Sequence, residues 1–223
     1  MSEGPQEDLD ALVRRVDPDR WLSSRFIDDP ARRADAVAIY AYDHELARAP
    51  RVASNPLLGE IRLTWWREAL DEAYEGRHVR HHPTAQALAA VIARRDLPRE
   101  PLEALIDARY RELDPSPMTP DEAQAWARGL GRAAEAVVRI LDPATDAAAA
   151  VEAGAAWALA RRAATAPDLR PAVHALLTSA RRQVRALSVA AFPAVAHAAL
   201  ASGPGSELGK RLRLTWAVAR GRI

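Results

Sequence analysis

The chain has 223 residues, of which 49% are hydrophobic and 27% charged, proportions of an ordinary folded domain that exclude a disordered chain or a fibrous repeat. Its 31 basic and 30 acidic residues leave a net charge of +1, so no global field draws in nucleic acid or an anionic membrane, and any such site must be local. With no cysteine, thiol nucleophiles, thiolate zinc sites, iron–sulfur clusters and disulfides are excluded, and the chain suits a reducing compartment.

In chain order, residues 1–10 are acidic and lack the apolar core of a secretory signal, so the protein is expected to stay in the cytoplasm. Helices are predicted at 7–16, 18–27, 30–49, 56–75, 83–95, 99–113, 120–141, 146–165, 171–201 with a bend at Pro193, and 206–220. Asp17-Pro18, Asp29-Pro30, Asn55-Pro56 and Thr119-Pro120 each place a capping side chain before a proline whose missing N–H costs nothing at the first helical position. Thr119 and Glu122 also have capping-box spacing. Leu57, Ile61, Trp65 and Ala69 form an i, i+4 stripe expected to pack inward, and Gly76 supplies a left-handed stop. Leu187 to Ala201 is the longest weakly polar stretch; it falls short of the roughly 20 residues a membrane span needs and reads as a core helix. Alternating β-branched and aromatic runs are absent, so the fold class is all-α. The weakest joints are Asp114 to Pro120 and the loop Ser202 to Ser206.

Four groups of side chains bear on chemistry. Glu68 with Glu72, Asp71 with Glu75, and Glu103 with Asp107 have the i, i+4 spacing by which helical carboxylates share a magnesium ion, yet a solvated, ion-paired helix face gives the same pattern. His78, His81 and His82 lack a nearby carboxylate or cysteine and read as a polar turn. Arg181, Arg182 and Arg185 on one helix, with Arg211, Arg213, Arg220 and Arg222 further on, could grip phosphates or an acidic partner. No aromatics interleave with them, which disfavours nucleic acid. Trp65 and Trp66 lie about 100° apart on a helix, so one can enter the core while the other lines a groove. No G-x-S-x-G elbow or glycine-rich phosphate loop is present.

Three segments, Ile39 to Ala47, Gly59 to Leu70, and His82-Pro83 followed by Ala87-Leu88, together resemble the squalene/phytoene synthase family in order and spacing. The pattern continues through Leu105 to Arg109, Gly129 to Leu141 and the helix of Gly154, and more weakly through Ala191-Phe192-Pro193-Ala194. The resemblance implies a single-domain helical bundle of the isoprenoid (trans-prenyl) synthase type over residues 18–223, after an extension or short helix at 1–17. It also implies two aspartate-rich motifs that face each other across a cavity and hold magnesium and prenyl diphosphates. In this sequence the first motif falls on Ala47 and Arg51, with His44 at the preceding arginine, and the second on Thr165 and Leu169, with Asp168 one position away. The anionic ligands of such a cluster are therefore missing.

Glu45-Leu46-Ala47, Ile61-Arg62 with Trp65 and Trp66, and Ala191 to Ala194 are similar to a divergent, non-catalytic branch that includes the mitochondrial assembly factor for respiratory complex I. The implied function is a binding or assembly factor, with a respiratory complex subunit as candidate protein partner. The alternatives are an active phytoene- or squalene-type synthase and a prenyl-lipid carrier. No cofactor, catalytic residue or metal ligand is expected, magnesium entering only with the synthase. No nucleic-acid partner and no transmembrane segment are expected, and the candidate location is cytoplasmic or peripheral at the inner membrane. Glu45, Arg62, Asp107 and Arg109 are expected to form a partly buried network in place of the metal site. With Trp65 and Trp66 they are the candidate interaction surface, and helices 30–49 and 146–165 are expected to face each other across the bundle.

Overall fold

The computed structural model describes residues 8–52, 55–201, 203 and 205–223; residues 1–7 of the expected extension and part of the 202–206 loop lie outside them. Among the described residues there are ten α-helices and no strand: α1 Leu9–Val16, α2 Pro18–Ser24, α3 Pro30–Val52, α4 Pro56–Tyr74, α5 Pro83–Arg95, α6 Arg99–Tyr110, α7 Pro120–Leu141, α8 Val151–Ala163, α9 Arg170–Gln183 and α10 Glu207–Arg220.

The caps fix most starts. Asp17 and Asn55 accept backbone N–H groups of Arg20 and Leu58 at 3.2 and 3.0 Å, and Asp29 accepts that of Ala31 at 2.8 Å. Both halves of the box at Thr119 are made, at 2.7 and 3.3 Å. The predicted helix 171–201 is instead broken. It ends at Gln183 and gives way to short 3-10 turns at Val184–Ala186, Phe192–Ala194 and Ala196–Leu200. Leu187 is extended, the Ser188 side chain takes the N–H of Ala191 at 3.2 Å, and Pro193 has no N–H to continue a helix.

α3 runs through the middle, packed by α1, α4, α5, α6 and α7, which is why Ile39, Tyr40, Ala41, Tyr42 and Leu46 are fully buried. Its 23 residues let one helix carry both core and cavity wall. On the other side α7, α8 and α9 stack in sequence. α7 and α8 cross at Gly131 and Gly154, where a Cβ on Gly131 would lie 2.2 Å from the Val151 carbonyl oxygen. Only glycine permits that approach.

α4 differs from expectation. Its buried row is Gly59, Leu63, Trp66 and Leu70, so Ala69 and part of Trp65 turn inward while Leu57 and Ile61 stay 62% and 56% exposed. The i, i+4 stripe is tilted off the core by its N-terminal half.

Candidate functional site

The central cavity, about 500 Å³, opens between the α1–α2 junction, α3, the end of α6, α7 and α8. α3 contributes Asp43, His44, Ala47 and Arg51; α8 and the turn after it contribute Trp157, Ala158, Arg161, Arg162 and Thr165. The two helices thus face each other across this space as expected, and three of the four motif positions, Ala47, Arg51 and Thr165, line it. Leu169 does not; it is buried in a 3-10 turn, Pro167–Leu169.

Acidic groups remain in the cavity, but each is engaged by arginine. Asp17 caps α2 and pairs with the Arg20 side chain. Arg20 Nη2 donates to Asp43 Oδ2 at 2.8 Å, Arg109 Nη2 donates to Asp43 Oδ1 at 2.6 Å, and Arg109 Nη1 donates to Glu112 Oε1 at 2.6 Å. Trp126 Nε1 closes the chain by donating to Glu112 at 3.0 Å. Asp17, Arg20, Asp43 and Arg109 are all buried. Burial pushes the Asp43 carboxyl up, but the Arg109 and Arg20 guanidinium groups outweigh it and hold it at about 2. Burial lowers the Arg109 pKa, and the Asp43 and Glu112 carboxylates more than restore it. Asp43 and Arg109 are therefore both charged, and each is matched within the buried network.

A magnesium–diphosphate cluster needs carboxylate oxygens free to bind the ion. The residues present do not fit that group. The cavity lining holds five arginines and three carboxylates, and all three carboxylates accept guanidinium hydrogen bonds. Arg51, Arg161 and Arg162 have no carboxylate partner among the described residues; Arg161 and Arg162 lie over the Trp157 and Trp126 rings at 4.9 and 5.2 Å. The cavity suits an anion better than a cation.

A second feature lies outside. A cleft of about 290 Å³ between α3 and α4 is lined by Glu45, Arg48, Ile61, Arg62, Trp65, Trp66 and His82. Trp66 is buried and Trp65 half-buried, the division their 100° offset allows. His82 packs edge-on to both rings, at 5.2 and 5.5 Å. A groove beside it adds Leu57, Glu60, Thr64 and Glu68 to Ile61 and Trp65.

Of the six candidate residues, four share this cleft. The expected network of Glu45, Arg62, Asp107 and Arg109 does not form. Glu45 accepts both hydrogen bonds of Arg48 one turn away at 3.0 Å, Arg62 is exposed, and Asp107 pairs at the surface with Arg67 at 2.6 Å. Arg109 alone enters a buried network. The missed partner is Asp43, which sits in the row Ala36, Tyr40, Asp43, Ala47 of α3. A carboxylate within an apolar helical row must find a cation, and that signal was available.

The helical carboxylate pairs are engaged in ion pairs, Glu72 buried and the others at or near the surface. Arg80 holds Glu68 and Glu72 at 3.1 and 2.6 Å, Asp71 pairs with Arg99, and Glu103 is held by Arg99 at 2.8 Å.

Comparison with known proteins follows the same lines. The squalene/phytoene synthase family model matches residues 13–169. Over 104 residues the chain is 31% identical to NADH dehydrogenase (ubiquinone) complex I, assembly factor 6, of Bos taurus, covering 46% of this chain and 30% of that protein. The homologue of that factor in Dictyostelium discoideum is 25% identical over 100 residues, 45% of this chain and 28% of the other. The matched region thus spans less than a third of these curated relatives. The crystal structure of squalene synthase HpnC from Alicyclobacillus acidocaldarius superposes with a TM-score of 0.69 at 18% identity, covering 97% of this chain and 94% of that one. At that identity the likeness is one of fold.

Proposed function

Because the chain belongs to the squalene/phytoene synthase family, we propose that it uses the family's helical scaffold as a binding and assembly factor without prenyl transfer, acting on a respiratory complex. The observation that carries this reading is the charge state of the central cavity. Ala47, Arg51 and Thr165 occupy the motif positions, and Asp17, Asp43 and Glu112 are committed to Arg20 and Arg109. The names of the relatives, factors for complex I assembly, supply the target class. The surface for a protein partner is the α3–α4 cleft, where Glu45, Arg62, Trp65 and the exposed Ile61 offer charge and apolar area together. Such clusters concentrate binding energy.

Two measurements test the reading. Purified protein incubated with magnesium and farnesyl or geranylgeranyl diphosphate should form no product above a control without protein; chelator-sensitive product would overturn it. Affinity capture from native membranes should retain a respiratory-complex subunit, and Trp65→Ala with Arg62→Glu should release it.

The prenyl-lipid carrier is the second reading, favoured by one feature: Arg51, Arg161 and Arg162 stand beside Trp126, Leu130 and Trp157 in the same cavity. Native mass spectrometry of the purified protein decides it, since a carrier retains an anionic lipid.

A further inference from the structure

α10 presents an apolar stripe that no described residue covers. Leu208, Leu212 and Trp216 are 68%, 62% and 58% exposed. At 100° per residue they fall within about 80° of arc, with Ala219 inside it, over a length of about 12 Å. The opposite side holds the helix to the body: Leu214 and Ala217 are buried, and Lys210 Nζ donates to Asp19 Oδ1 at 3.1 Å. The stripe therefore faces outward from a helix lying flat on the protein.

Its flanks are basic. Arg211 lies on one side of the stripe and Arg220 on the other, the latter with its guanidinium 4.5 Å from the centre of the Trp216 ring. Neither has a carboxylate partner among the described residues. The acidic residue of α10, Glu207, is exposed at its N-terminal end and pairs with Lys210 at 3.5 Å. Arg181 of α9 donates to the Ile223 carbonyl at 3.1 Å, which brings a further arginine beside the same end of the helix.

We infer that α10 is a docking face for an anionic lipid bilayer. An apolar ridge between arginines, with an indole at one end, matches a surface that is apolar below and negatively charged above. A groove on a protein partner would have to enclose the ridge and place carboxylates on both sides of it to meet Arg211 and Arg220. Pairing of two copies through the stripe would set the arginines of each copy against those of the other. A bilayer meets a convex ridge without either cost. The inference does not depend on what the cavity or the α3–α4 cleft binds, and the net charge of +1 makes the attraction local to this face.

Vesicle flotation tests it with the full chain. The protein should float with vesicles of phosphatidylcholine containing about 30% phosphatidylglycerol and bind about tenfold less to phosphatidylcholine alone. Leu212→Glu should reduce binding about tenfold, and Arg211→Gln and Arg220→Gln about fivefold each, with thermal melts unchanged because these side chains are exposed. Trp216 fluorescence, taken as the difference from Trp216→Phe, should shift to the blue on binding. Equal binding by Leu212→Glu, absence of flotation, or equal affinity for neutral vesicles would overturn the inference. So would a dimer in light scattering that Leu212→Glu abolishes, or a protein partner lost from that variant without any lipid binding.

Discussion

Asp43 and Arg109 show what a buried charge requires. Each is buried in the cavity wall, and each is matched twice, Asp43 by Arg109 and Arg20, and Arg109 by Asp43 and Glu112. Arg109→Ala is expected to destabilise by about 3–5 kcal/mol, since it leaves Asp43 matched on one side only; urea unfolding followed by circular dichroism measures the loss. The double substitution Asp43→Leu with Arg109→Met should recover only part of it, because Glu112 then loses its guanidinium partner and Arg20 keeps only Asp17. His197 offers a second test. It is fully enclosed, edge-on to Trp157 at 5.1 Å, and its Nδ1 has no hydrogen-bond partner among the described residues. Burial, helped by the Arg20 charge, lowers its pKa to about 3. Between about pH 6.5 and 3 the unfolded chain therefore takes up a proton that the folded chain refuses, and stability falls with acidification by about 1.4 kcal/mol per pH unit. Melting temperatures at pH 7.5 and 5.5 should differ accordingly, and His197→Gln should flatten that slope. At this scale the caps were legible, because a cap is a local hydrogen bond between residues three apart. The Asp43 network was not, because its partners come from 23 and 66 residues away.

Helix starts were read from sequence more surely than helix ends. α2, α3, α4, α5 and α7 begin on the residue the Asx-Pro, His-Pro or Thr-Pro signal marks, since proline sets both φ and the missing donor. Apolar content extends the predicted helix 171–201 past its true end at Gln183, because a 3.6-residue period and a string of 3-10 turns bury similar side chains. Only the backbone hydrogen bonds separate them. Gly131 and Gly154 illustrate a contact no single-helix reading exposes: each is harmless in its own helix and indispensable in the pair. Gly131→Ala is expected to cost about 1–3 kcal/mol through the clash with the Val151 carbonyl, lowering the melting temperature by several degrees, whereas Gly76→Ala, with open space around the Cβ, should be governed only by its positive φ of 66°.

The molecule as a whole has one core that runs from Leu12 on α1 to Ala217 on α10. Far-UV circular dichroism and tryptophan fluorescence should therefore report a single coincident unfolding transition; two separated midpoints would show the helices to be independent units. Within it, amide exchange should be slowest at the α7–α8 crossing and fastest in α10, which buries only Leu214 and Ala217. The all-α class and the synthase-type scaffold were legible because periodicity and motif order survive when individual ligands change. The cationic balance of the cavity was legible only in part: the replaced motif positions could be named, but the pairing of the remaining carboxylates needed three-dimensional proximity.

The arginine–carboxylate chain also has a kinetic meaning. Asp17–Arg20 and Arg109–Glu112 are local pairs three residues apart, but Asp43 meets Arg20 and Arg109 only when α2, α3 and α6 are nearly docked. The two bonds to Asp43 are therefore expected to form after the folding barrier is crossed. Substituting Arg20→Met should leave the refolding rate almost unchanged while speeding unfolding by about 10²–10³-fold. The bonds to Asp43 that organise the cavity at equilibrium would thus act, in time, as a latch that closes last and holds longest.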